Sequence, residues 1–145
     1  MIEVICFGKI KEQYLKDMIE DYKKRISKYL KFQITELPDN DNIKIEEELL
    51  KKHIDNKSYK ILLDIKGNKL DSIGLSSMIS KSFISYPKIT FIIGGSNGVT
   101  DEVKNMADYR LSFSDMTFPH GLFRGILLEQ IYRSLKINNN ESYHK

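Results

Sequence analysis

Three stretches of this 145-residue chain combine residue types that can bind or transform a small molecule. The first, Gly94-Gly95-Ser96-Asn97-Gly98, directly follows an apolar β-rich run and can bring main chain close to a ligand with no Cβ in the way. It fits neither the G-x-G-x-x-G dinucleotide fingerprint nor a P-loop, since no Gly-Lys-Ser/Thr follows. A tight strand-to-helix turn explains it equally well. The second, Ser114-Asp115-Met116-Thr117-Phe118-Pro119-His120, leads into a helix. A capped helix start accounts for Thr117 and for Pro119, whose missing N–H costs nothing at a first helical position. The crowding of Met116, Phe118 and His120 fits a wall for a flat, partly apolar ligand such as an adenine. The third is the tail, Tyr143-His144-Lys145, where a ring can stack on a base, an imidazole can exchange a proton and a cation can meet phosphate. Arg124 and Arg133 add two phosphate contacts if they face solvent. His53, His120 and His144 are scattered with no carboxylate pair beside them, so no metal site is read, and a G-x-S-x-G elbow is missing.

The elements that must carry these residues alternate. Apolar β-rich runs at residues 2–7, 32–37, 59–65, 89–93 and 109–113 predict strands, and the last two end at the candidate loops. Between them, apolar residues at helical spacing predict helices: Leu15, Ile19, Tyr22, Ile26 and Tyr29; then Ile45, Leu49, Leu50 and Ile54; then Leu75, Ile79 and Phe83, capped by Ser72. Thr100 caps a short helix ending near Ala107, and a long one begins near Pro119 and carries Leu122, Ile126, Leu127, Ile131 and Leu135. The acidic run Glu46-Glu47-Glu48 reads as a solvated helix face. This alternation predicts one α/β domain over residues 1–145, with a mainly parallel sheet covered by helices on both faces. Ligands of such sheets bind beyond the carboxyl ends of the strands.

Composition narrows the class. With 41% hydrophobic and 30% charged residues, three prolines and eight glycines, the chain is globular rather than disordered or collagen-like. Its net charge of +3 does not by itself announce a nucleic-acid binder. The charge is uneven, with a lysine-rich segment at residues 9–31 and an acidic one at 36–56, which would make one end electropositive. A lone cysteine, Cys6, and no secretory or membrane-spanning pattern lead to the expectation of a soluble cytoplasmic protein without membrane partners.

Taken in order, Gly8-Lys9-Ile10-Lys11, Ile93 through Gly98, Leu111 through His120, Glu129-Gln130-Ile131-Tyr132-Arg133 and the terminal Tyr143-His144-Lys145 resemble the ribosomal RNA large subunit methyltransferase H family. The family belongs to the SPOUT class of α/β-knot methyltransferases, and the resemblance runs through essentially the whole chain. It implies a C-terminal trefoil knot and methylation of N3 of pseudouridine 1915 in 23S rRNA. It also implies S-adenosylmethionine as cofactor, no metal, and action on the assembled ribosome as a homodimer. By position it implies that Leu63, Gly95, Ser114, Asp115, Met116, Thr117, Phe118 and Pro119 enclose the cofactor. His120, Arg133, Tyr143 and His144 would serve the reacting base, with His144 as the base or a proton shuttle and Tyr143 holding the nucleobase. Arg124 and Lys145 would contact RNA, and the tail of one subunit would complete its partner's site. The terminal cation is lysine where some relatives carry arginine, which reduces a bidentate phosphate contact to a point charge. Two other readings compete: a ribosome-binding module without catalysis, and a nucleotide-dependent enzyme of another class.

Overall fold

The computed structural model describes residues 1–145. Five strands alternate with five helices: β1 Ile2–Phe7, α1 Gln13–Ser27, β2 Phe32–Leu37, α2 Ile43–His53, β3 Tyr59–Lys69, α3 Ser72–Ser85, β4 Ile89–Ile93, α4 Asp101–Met106, β5 Tyr109–Ser112 and α5 His120–Asn138. All pairings are parallel, in the order β2-β1-β4-β3-β5. Alternate residues of a strand face opposite sides of a sheet, and the central strands are apolar on both. Ile2, Val4, Cys6, Phe91, Ile93 and Ile61 pack under α1, α3 and α5. Ile5, Phe7, Ile92 and Leu62 pack under α2 and α4. Burial of these strands on both faces is what requires two helical layers.

Several local expectations are corrected. α3 is capped by Asp71, which accepts from the Gly74 N–H at 2.7 Å, whereas the Ser72 hydroxyl donates to Gln130 on α5. Pro119 stands one position before the helix it was expected to begin. β3 runs on to Lys69, past a break in its pairing with β5 between Leu63 and Asn68. The acidic run is not a solvated face: Glu46 and Glu47 are buried, and only Glu48 is exposed. Partners offset much of the cost of burying them, although Glu46 Oε1 has none. Glu46 accepts from the Asn40 N–H at 3.0 Å, while Glu47 accepts from the Thr100 hydroxyl at 2.5 Å and pairs with Lys51 at 3.3 Å.

Arg124 is the largest correction. Its side chain is only 2% exposed, Nη1 lies 2.6 Å from Glu36, and Nη2 donates to the carbonyls of Phe7 and Gly8, both at 3.2 Å. A guanidinium enclosed in this way ties α5 to the ends of β1 and β2 and is not available to an RNA phosphate. Arg124→Ala is therefore expected to cost about 2–3 kcal/mol, discounted because Glu36 remains partly hydrated, by orphaning two carbonyls and one carboxylate. Thermal unfolding at fixed protein concentration measures this. Cys6 is enclosed nearby, and burial pushes its thiol up to about 11, so it is no nucleophile.

Candidate functional site

The carboxyl ends of β4 and β5 and the middle of β3 open into one cleft of about 380 Å³, within the usual size range of small-molecule sites. β4 delivers the glycine loop directly. A hydrogen bond from the Gly98 N–H to the Gly95 carbonyl, 3.0 Å, closes a turn that needs φ +80° at Gly98, a conformation other L residues rarely adopt. Gly95 is needed for a different reason. A Cβ there would lie 2.7 Å from both carboxylate oxygens of Glu46, which stands behind the loop. With Glu47 held on Thr100, the residue that caps α4 through the Val103 N–H, the two buried acids of α2 brace both ends of the loop. The Thr100 hydroxyl, together with Lys51 and Lys44, holds the Glu47 carboxyl below the usual carboxylate range.

The opposite wall comes from the segment between β5 and α5. Phe123 stacks on Phe118, with centroids 5.9 Å apart, and meets Phe113 edge-on at 5.2 Å. All three line the cleft and Met116 stands at its rim, 76% exposed. The Ser114 hydroxyl accepts from the Met116 N–H at 3.0 Å and fixes the turn between them. Of the residues singled out in the sequence, Leu63, Gly95, Ser114, Met116, Thr117, Phe118 and His120 line this cleft together. Asp115 turns outward to Lys69 and is 81% exposed, and Pro119 supplies the helix start behind the wall. The imidazole of His120 reaches to 3.3 Å from the Phe7 carbonyl.

The tail lies elsewhere. Asn140 takes φ +56°, one of the few non-glycine types that tolerate it, and reverses the chain onto α5. Tyr143 then donates to Glu129 at 2.7 Å and packs edge-on against Tyr132, with the Arg133 guanidinium 4.8 Å from its ring centre. Burial, and secondarily the bond to Glu129, pushes the Tyr143 phenol well above its ordinary range. Arg133 is gripped by both oxygens of Glu129 and also donates to His144 Nδ1 at 3.1 Å. His144 and Lys145 are exposed, and no tail residue lines the cleft of its own chain.

A family described as predicted SPOUT methyltransferase matches residues 1–144 of the chain. The chain belongs to this family. Among curated relatives, it is 46% identical to the ribosomal RNA large subunit methyltransferase H of Clostridium botulinum, covering 99% of each chain. It is equally identical, with the same coverage, to the protein of that name from Fusobacterium nucleatum. Among solved structures, a probable methylase family protein from Haemophilus influenzae superposes with a TM-score of 0.57 at 11% identity, over 99% of this chain and 70% of that one. Likeness at that identity bears on the fold alone, and it agrees with the parallel α/β sheet. Membership makes the chain a methyltransferase.

Sequence reasoning missed three residues. Asp64 follows Leu63 into the cleft, and a charged residue at a strand's carboxyl end was the available signal. Glu46 and Glu47 gave none, because three consecutive acids on a helix do not declare which of them faces inward.

Proposed function

We propose that the chain transfers a methyl group from S-adenosylmethionine to N3 of pseudouridine 1915 of 23S rRNA in the assembled ribosome, acting in the cytoplasm as a homodimer. The observation that carries the cofactor assignment is the charge of the cleft. No lysine or arginine is among its lining residues, Asp64 is their one carboxylate, and three phenylalanines form one side. A phosphate-bearing nucleotide would find no cation there, whereas an adenine on an aromatic wall and a positively charged sulfur beside a carboxylate are both accommodated. Full-length identity to proteins named as large-subunit rRNA methyltransferases supports the RNA substrate.

When bound, the cofactor supplies an activated methyl group on a positive sulfur. The chain's own residues then have three tasks. Gly95, Leu63 and residues 114–119 fix the donor so that methyl and acceptor nitrogen align. Tyr143 holds the base by stacking. His144 takes the N3 proton once the tail has left its present contact. Arginine only donates, so the Arg133 bond occupies the Nδ1 lone pair with which the ring would act. Arg133 and Lys145 meet phosphate once the tail of one subunit reaches the cleft of the other.

Two features support the topology and the target. After β5 at the sheet edge the chain returns as α5, which packs against both α1 and α3, a course compatible with a C-terminal trefoil knot. A net charge of +3 gives little non-specific grip on RNA. Even in the lysine-rich segment, Lys9, Lys16 and Lys23 share their groove with Asp17, Glu20 and Glu36. Shape recognition on an assembled ribosome fits such a surface better than capture of naked RNA. Calorimetric titration tests the cofactor: S-adenosylmethionine should bind, and NAD and ATP should not. Binding of NAD or ATP in preference, or ribosome association with no S-adenosylmethionine binding, would overturn the reading.

A further inference from the structure

Asp64 carries a buried carboxylate oxygen for which the protein supplies no donor. Its side chain is 12% exposed, and the residue is among those that line the cleft. Oδ1 accepts from the Lys66 N–H at 3.0 Å, while Oδ2 is enclosed and without a hydrogen-bond partner. The nearest cation, the half-exposed Arg110, stays 3.9 Å from Oδ2, beyond hydrogen-bond reach. The backbone explains why the carboxylate is held there. β3 leaves its pairing with β5 between Leu63 and Asn68, and Gly67 folds so close to β5 that a Cβ would lie 2.6 Å from the Arg110 carbonyl. Gly67 is thus pressed against β5, and Asp64 stands at the start of the break.

A carboxylate oxygen left unpaired in a partly apolar site costs free energy unless a ligand supplies the missing positive partner. We infer that Asp64 is a specificity-determining residue that selects the positively charged cofactor over its neutral thioether product. The inference rests on S-adenosylmethionine being the cofactor. Before transfer the sulfur is a cation that a desolvated carboxylate attracts strongly. After transfer the sulfur is neutral, the attraction is gone, and S-adenosylhomocysteine leaves a site whose one lining carboxylate no longer favours it. His120, the other acid–base group lining the cleft, lies on the opposite wall, at the start of α5.

The test is calorimetric, on the full-length protein, with S-adenosylmethionine and S-adenosylhomocysteine as separate ligands. Asp64→Asn keeps the shape and removes the charge. It should weaken S-adenosylmethionine binding about tenfold, the size of one lost charge-assisted contact, and leave S-adenosylhomocysteine within about twofold. Equal losses for both ligands, or no loss for either, would overturn the inference. Arg110→Gln, at an exposed position tolerant of change, is an independent arm. Removing the competing cation should raise the preference for S-adenosylmethionine about twofold, and an unchanged preference counts against Asp64. A wild-type protein that binds neither ligand would instead overturn the cofactor assignment itself.

Discussion

Deleting Tyr143, His144 and Lys145 is expected to lower the methyl-transfer rate by at least about 100-fold, equivalent to roughly 2.7 kcal/mol of transition-state stabilisation. S-adenosylmethionine affinity should stay within about threefold of wild type, because no residue of the tail lines the cleft in its own chain. The split is the informative part. A tail that only stabilised the fold would lower cofactor binding and thermal stability together with activity. One that brings a base and a stacking ring to a partner's cleft lowers the chemical step far more than it lowers cofactor affinity. Mixing supplies the topological control: tail-deleted protein, intact in its cleft, combined with a cleft-defective variant bearing an intact tail, should recover activity as subunits exchange. Undiminished turnover after deletion would remove the tail from the mechanism, and no recovery on mixing would place its action within one subunit.

The second large effect is expected at Gly95. In Gly95→Ala the added methyl meets two buried carboxylate oxygens at 2.7 Å, too close for any real Cβ. Glu46 does not yield freely, since it is enclosed and holds the Asn40 N–H. The loop must therefore rise toward the cleft, costing about 1–3 kcal/mol of overpacking and weakening S-adenosylmethionine binding by at least about tenfold, as displacements on this scale do to a preorganised site. Adding Glu46→Asp, which shortens the opposing side chain, should restore much of the affinity. Calorimetry on the single and double variants decides: if the double binds no better than Gly95→Ala, the methyl obstructs the ligand directly and Glu46 does not set the loop's height.

What was legible in the sequence was contiguous. The glycine loop and residues 114–119 each lie in one run at a strand end, so composition alone marked them, and period-two apolar patterns with helical repeats between them were enough for the α/β layers. What was hidden depends on contacts between distant segments. Arg124 looks like any helix arginine until β1 and β2 bring the Phe7 and Gly8 carbonyls and Glu36 around it. Glu46 and Glu47 are buried only because residue 40, Thr100 and Lys51 converge on them from three other segments. Asp64 is hidden because the apolar pattern of its strand ends near Ile65, and the irregularity beside it is fixed by pairing with β5 rather than by its own neighbours.

The central claim is methylation of one position on the assembled ribosome. The direct measurement is methyl transfer from labelled S-adenosylmethionine to assembled ribosomes and, in parallel, to naked 23S rRNA, with the modified nucleotide mapped by the block that an N3-methyl group imposes on reverse transcription. The predicted result is incorporation into ribosomes approaching one methyl per particle, a single stop at pseudouridine 1915, and far weaker transfer to naked RNA. Label at another nucleotide, a preference for naked RNA, or no transfer from a protein that binds the cofactor would contradict it.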